Sequence, residues 1–163
     1  MRVRVYNRKG ELVGPVESPR VVKTDPEWQR QLTPSQYEIA RGKGTEPAYC
    51  GTLLDNKRDG VYACVCCALP LFASDSKFNS GTGWPSFFQP VAPENIETEE
   101  DLGYGMRRTE ILCARCAAHL GHVFDDGPRP TGRRFCVNSE SLVFVDCKDL
   151  ATLADPAAEP RGA

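Results

Sequence analysis

Cysteine and histidine carry most of the chemistry legible in this chain, and much of it lies between Cys113 and Asn138, CARCAAHLGHVFDDGPRPTGRRFCVN. That stretch holds a CxxC pair, both histidines of the protein, and Cys136 with Arg134 and Asn138 two residues to either side. Soft metal ligation, proton transfer and thiol nucleophilicity are thus available within 26 residues. A second CxxC, Cys64 to Cys67, lies upstream, with 45 residues between Cys67 and Cys113. A CxxC on a tight turn aims two sulfurs at one point. Two such knuckles complete the closed tetrahedral thiolate cage expected of a structural zinc site. Cys64, Cys67, Cys113 and Cys116 are the expected ligands, holding one Zn2+ per chain and clipping distant segments together. A rival set, Cys113, Cys116, His119 and His122, leaves Cys64 and Cys67 without purpose, and its HxxH is tighter than the usual histidine spacing. The remaining alternative is four buried apolar cysteines.

If thiolates take the metal, both histidines stay free. Cys136 lies in an alternating segment; on a strand, Arg134, Cys136 and Asn138 share one face while Phe135 and Val137 take the other. A guanidinium beside a thiol favours the thiolate, its nucleophilic form. Asn138 can donate a hydrogen bond to a substrate or orient a histidine. An imidazole titrates near neutral pH and can protonate a leaving oxygen, and His119 and His122 supply two. Asp125 and Asp126 could orient one ring, although Asp-Asp-Gly-Pro is also ordinary turn composition. By default a lone strand cysteine is a small core residue and a lone histidine a satisfied structural one. The polar neighbours on the face of Cys136, and two histidines three apart, weigh against both defaults. Upstream, SGTGWPSFF (80–88) is a loop bent by two glycines, with Trp84 as a rigid apolar wall. A pocket with that wall, two imidazoles and a thiolate suits a small apolar group carrying a polar oxygen.

The elements that must position these residues are short. Residues 2 to 16 alternate around a turn at Asn7 to Gly10, which predicts a hairpin broken off by Pro15 and Pro19. Asp25 as a cap before Pro26, and Thr33 as a cap before Pro34 with Gln36 behind it, predict two short helices, the second ending at Gly42 or Gly44. Trp28, Leu32, Tyr37 and Ile39 are the residues expected to dock them. From Thr45 onward the chain reads as strand and loop. Residues 60–72 predict two strands around a knuckle, 103–113 a strand entering the second CxxC, and 133–145 strand, break, strand. The acidic run Glu94 to Asp101 reads as a solvated loop without function. The expected organisation is an N-terminal extension over 1–22, one catalytic domain over 23–148 and a frayed tail over 149–163.

The totals set bounds. A length of 163 residues suits one domain with tails, and a net charge of −2 provides no basic field for nucleic acid or anionic membrane. No apolar run approaches the roughly 20 residues of a membrane helix, and MRVRVYNRKG has no apolar signal region. The expected location is the cytoplasm, where eight cysteines sort into ligands, reactive thiols and inert ones rather than disulfides.

The segments KTDPEWQRQLTPSQYEIARGKGTEP, GVYACVCCALPLF, SKFNSGTGWPSFF, RTEILCARCAAHLGHVFDDGP and RRFCVNSESLVF, in that order over residues 23 to about 145, resemble the methionine-R-sulfoxide reductase B family. The resemblance implies a mainly β fold of two antiparallel sheets with short N-terminal helices and a structural zinc. It implies reduction of the R epimer of methionine sulfoxide, mainly in proteins. By position, Cys136 resembles the nucleophile that becomes a sulfenic acid. His119, His122, Asn138 and Arg134 resemble the residues that bind and protonate the sulfoxide oxygen, and Trp84 the one that receives the methyl group. Thioredoxin is the expected reductant and a monomer the expected state. Many members carry a recycling cysteine where this chain has Thr82. Cys50 is the first candidate to replace it, followed by Cys66 and Cys147, with an external thiol as the other route. Two readings from other classes stand beside this one: a zinc-ribbon binding module without catalysis, and a general thiol peroxidase.

Overall fold

The computed structural model describes residues 1–159. The chain opens with a hairpin of β1 (Arg2–Tyr6) and β2 (Leu12–Glu17), in which Val3 faces Val16 and Val5 faces Val13. Pro15 does not end the second strand; it lies where the register slips between Val3 and Val5, at an irregularity that frees the ladder from needing its missing N–H. Val3 and Val5 are fully buried in the common core, so the N-terminal extension is part of the folded body.

Two helices follow, α1 (Asp25–Gln31) and α2 (Pro34–Ala40), each with proline in its first turn. The cap of α1 is Thr24, one residue before the expected Asp25: its hydroxyl accepts from Glu27 N, and Glu27 returns a bond to Thr24 N. Thr33 and Gln36 form the same reciprocal pair on α2. Each box satisfies amide groups that a helix start would leave bare. Trp28, Leu32 and Ile39 are buried as expected, and Tyr37 is half-buried against the core.

The remaining strands are β3 (Gly60–Cys64), β4 (Pro70–Ala73), β5 (Lys77–Phe78), β6 (Ser86–Phe87), β7 (Ile96–Asp101), β8 (Arg108–Cys113), β9 (His119–Phe124), β10 (Arg134–Val137) and β11 (Leu142–Asp146). They form a six-stranded antiparallel sheet ordered β5-β6-β10-β9-β8-β7 and a three-stranded sheet ordered β11-β3-β4. With the hairpin this makes three sheets where two were expected, the additional one being the N-terminal extension. The acidic run is not a loop: Ile96 to Asp101 pair residue for residue with Cys113 to Arg108 as an edge strand. The exposed acids Glu99 and Glu100 suit an edge, which charge protects from pairing with another chain.

The two larger sheets meet through aromatic rings. Phe72 stacks on Phe87 at 4.5 Å, and Tyr62 meets Phe87 edge-on at 5.1 Å. Phe135 and Val137 of β10 face this core, which leaves Cys136 and Arg134 on the opposite face of the sheet. The C-terminal segment is not frayed where it is described. Residues 147–153 and 156–158 form 3-10 turns, Ala154 bridges to Tyr6, and Asp155 pairs with the buried Arg115 at 2.6 Å. The expected tail beyond residue 159 lies outside the described residues.

Candidate active site

The two CxxC pairs fold as matching knuckles. In each, the residue after the second cysteine, Ala68 or Ala117, takes a left-handed conformation. Its N–H then donates to the carbonyl of the first cysteine, Cys64 or Cys113, at 2.8 Å in both cases. The amides of Cys64 and Cys113 close the turns by donating to Leu69 O and Ala118 O. The knuckles face each other. Cys64 Sγ lies 3.6 Å from Cys116 Sγ and Cys67 Sγ 3.5 Å from Cys113 Sγ, and all four sulfurs lie within 4.8 Å of one another. A tetrahedral zinc with bonds of about 2.3 Å separates its sulfurs by about 3.8 Å, so the cage fits that ion. Cys66 N donates to Cys64 Sγ at 3.4 Å. Neither histidine joins the cluster, so the Cys₂His₂ alternative is not formed; no other group of potential ligands is found among the described residues.

The register of the six-stranded sheet places Phe78, Ser86, Cys136, His122, Glu110 and Glu99 in one lateral row. Directly paired residues of an antiparallel sheet point to one face, so Cys136 and His122 are cross-strand neighbours. His119 and His122 are three apart and would point to opposite faces of a regular strand. The register slip opposite Ile111 and Leu112 inserts Leu120 as an extra residue, and the two rings come to lie 5.7 Å apart, edge to face. Leu120 goes to the core. Gly121 is required beside the bulge, because a β-carbon there would run into the carbonyl oxygen of Cys136.

Each imidazole holds a carboxylate. His119 Nδ1 is 2.6 Å from Glu110 Oε2, both residues being buried, and Lys43 reaches the other oxygen of Glu110 at 3.3 Å. Burial pushes the His119 pKa below the ordinary value, against the pull of Glu110. His122 Nε2 is 2.8 Å from Asp101 Oδ2. Sequence reasoning missed both acids. Asp101 lies in the run read as a loop and Glu110 in an ordinary strand, and only the register across β7, β8 and β9 brings them to the rings. Of the two acids, Asp125 and Asp126, that could orient a ring, Asp126 instead grips Arg134 through two bonds of 2.9 and 3.1 Å, with the guanidinium over Phe124.

Cys136 is half-buried. Burial is the largest influence on its thiol and pushes the pKa up; the Arg134 charge and the Thr82 hydroxyl pull it down, and Glu46 and Asp126 push it up. Arg134 thus favours the thiolate as expected, but burial outweighs a guanidinium already paired with Asp126. Asn138 is committed as well. It is buried, its Oδ1 accepts from Glu46 N at 3.1 Å, and its Nδ2 donates to Leu120 O. Trp84 stands half-buried with its indole N–H on Glu46 O at 2.9 Å. Cys50 is exposed on a segment fastened by Tyr49 N to Gly83 O and by Leu53 N to Ser139 Oγ. Cys66 is buried beside the four-cysteine cage, and Cys147 is exposed in the 3-10 turn that follows β11.

Residues 32–146 match the family model of the SelR domain. The chain is 58% identical over 125 residues to the peptide methionine sulfoxide reductase MsrB of Hahella chejuensis, covering 77% of this chain and 90% of that protein. It is 58% identical over 123 residues to the protein of the same name from Acinetobacter baumannii (76% and 88%), and 55% over 124 residues to that from Leptospira interrogans (76% and 95%).

Proposed function

The chain belongs to the SelR-domain family, and from that premise we propose that it reduces the R epimer of methionine sulfoxide in proteins, with Cys136 as nucleophile. The observation that carries the reading is the cross-strand pairing of Cys136 with His122 on one face of the sheet, while four other sulfurs converge elsewhere as a cage. The thiolate of Cys136 attacks the sulfoxide sulfur and forms a sulfur–sulfur bond. The oxygen takes up a proton, its bond to the methionine sulfur breaks, and its bonding to the Cys136 sulfur breaks the sulfur–sulfur bond, which releases methionine and leaves Cys136 as a sulfenic acid. Oxygen leaves only if protonated, and His122, with His119 beside it, supplies that proton. Trp84 receives the methyl group. Asn138 contributes by fixing Glu46, and with it Trp84, to the strand of the nucleophile. Arg134, two residues from Cys136, offsets part of the cost of the buried charge.

The Cys50 thiol then attacks the sulfenic sulfur, giving a disulfide and water, and thioredoxin reduces the disulfide by exchange. Supporting Cys50 is the attachment of its segment to both the Trp84 loop and Ser139; Cys66 is buried, and Cys147 lies in the turn that leaves the other sheet after β11. The cage of Cys64, Cys67, Cys113 and Cys116 would hold one structural Zn2+, whose chemistry is to bind four thiolates and close the fold. One chain contains every residue invoked, which supports a monomer. No helix among the described residues is long and apolar enough to cross a membrane, and a thioredoxin-coupled dithiol suits the cytoplasm.

The deciding experiment compares Cys136→Ser with the unaltered chain on the two epimers of a methionine sulfoxide peptide and on hydrogen peroxide. The expected result is turnover of the R epimer alone, abolished by the substitution with zinc retained in full. A preference for peroxide, or activity surviving in Cys136→Ser, would overturn the assignment.

A further inference from the structure

Of the carboxylates around the candidate histidines, one holds His122 from a strand that sequence reasoning had set aside. Asp101 closes the edge strand β7, two strands away from β9 across β8. Its Oδ1 accepts from Gly103 N at 2.9 Å, and its Oδ2 is shared by His122 Nε2 at 2.8 Å and Arg108 Nη2 at 3.3 Å. The carboxylate is thus fixed from its own turn and from β8. The hydrogen bond with His122, before the turn amide and the Arg108 charge, holds its pKa down at about 2. The charged and titratable groups that face His122 are Asp101 and Arg108 on the β7–β8 side, Glu110 beside it on β8, His119 on its own strand and Cys136 on β10. Glu110 is spent on His119 and Lys43, and Asp126 on Arg134. Among the described residues Asp101 is the carboxylate bonded to His122.

We propose that Asp101 is the positioning residue of His122, holding the ring by Nε2 so that Nδ1 is the nitrogen that meets the sulfoxide oxygen. This rests on the reductase reading of the site. Asp101 accepts from Nε2–H in both protonation states of the ring. Proton delivery therefore leaves through Nδ1, and the ring cannot rotate toward another partner without giving up the Asp101 contact. An asparagine in its place can turn its amide and donate to Nε2, which puts the single proton of the neutral ring on Nδ1. Such a replacement keeps the size of the side chain and the turn contact from Gly103 N. It reverses the ring's polarity without emptying the site.

The test uses the zinc-loaded full chain, labelled with nitrogen-15 in histidine, with Asp101→Asn and Asp101→Glu. At pH 8 the unaltered protein is expected to show His122 with its proton on Nε2, and Asp101→Asn a shift of that proton to Nδ1. In thiol-driven reduction of a methionine-R-sulfoxide peptide, Asp101→Asn is expected to lower kcat at least tenfold with KM changed less than threefold. Asp101→Glu should restore most of kcat. An unmoved ring proton in Asp101→Asn together with unaltered kcat would overturn the proposal, and so would a loss confined to KM. A chain that reduces no sulfoxide in its unaltered form would sink the reductase reading instead, while the nitrogen-15 shifts would still decide whether Asp101 orders the ring.

Discussion

The Asp126→Asn substitution should make Cys136 a stronger nucleophile in the resting protein. Asp126 lies on the surface and grips the Arg134 guanidinium, whose side chain is largely covered. Both contacts bear on the thiol in the same direction: Asp126 pushes its pKa up directly and offsets the Arg134 charge that pulls it down. Removing the carboxylate charge leaves Arg134 uncompensated. Residues two apart on one face of a strand are about 6.7 Å apart. At that separation a unit charge is worth about 0.6 kcal/mol at the dielectric of water and about 2.5 kcal/mol at an effective value near 20. At 1.36 kcal/mol per unit this brackets a fall of about 0.4 to 1.8 pKa units. The site lies between water and interior, so a fall of about one unit is expected. The assay is the rate of iodoacetamide labelling of the Cys136 peptide against pH, read by mass spectrometry in a background where Cys50 and Cys147 are serine. The unaltered protein should show a midpoint above that of an ordinary thiol, Asp126→Asn a lower one, and Asp126→Asn with Arg134→Met a return upward. A midpoint that stays put, or rises, in Asp126→Asn would show that Arg134 is not the charge that governs the thiolate.

Gly121→Ala should destabilise the fold by about 3 kcal/mol, at the upper end of overpacking costs, because the new methyl group meets backbone rather than a flexible side chain. Thermal unfolding and sulfoxide turnover together check it, and a stable, active variant would show that β9 and β10 can part without harm. Cys113→Ser should fail to fold, since a structural zinc cage contributes about 10 kcal/mol or more to the folded state; native-like circular dichroism in a zinc-free variant would contradict this. Cys50→Ser should leave the first turnover intact, and should slow thioredoxin-linked cycling at least tenfold while cycling with dithiothreitol continues. Unaltered thioredoxin cycling would point to a different thiol.

What the sequence made legible, and what it hid, divides along the range of the interactions. Capping boxes, knuckles and the β10 alternation are local, and Thr33, Gln36, Cys64, Cys67 and Cys136 announce them by type and spacing. The placing of the cap at Asp25 rather than Thr24 was an error of one residue within a correct device. The partners of the histidines are different in kind. Asp101 and Glu110 are ordinary acids in ordinary segments, and only the pairing of β7 with β8 and of β8 with β9 makes them ring contacts. Asn138 is legible only in part for the same reason. Its spacing from Cys136 is in the sequence, but its two backbone partners, Glu46 and Leu120, are set by tertiary packing. The C-terminal turns looked like a tail because their anchor, Arg115, sits inside a knuckle 40 residues away.

The bulge at Leu120 explains why the metal cage and the candidate active site belong to one architecture. Cys113 ends β8, the knuckle from Cys113 to Cys116 makes the turn, and His119 begins β9. The cage therefore sets how β9 starts, three residues before the first imidazole. The slip that follows rotates His119 onto the face of His122, and Gly121 lets β10 come close enough for Cys136 to pair with His122. Arg41, at the end of α2, donates to Cys116 O at 2.9 Å and stacks on Trp28, so the helices brace the same turn. Phe72, Phe87 and Phe135 share one buried cluster with Cys64, Cys113 and Cys116, so opening the cage should disturb the His119–His122 geometry and the aromatic core together. Zinc removal by a chelator should accordingly reduce sulfoxide turnover and the near-ultraviolet circular dichroism of the aromatic core in parallel. Turnover lost while the near-ultraviolet signal persists would show that the metal holds only this hinge of strands and not the whole body.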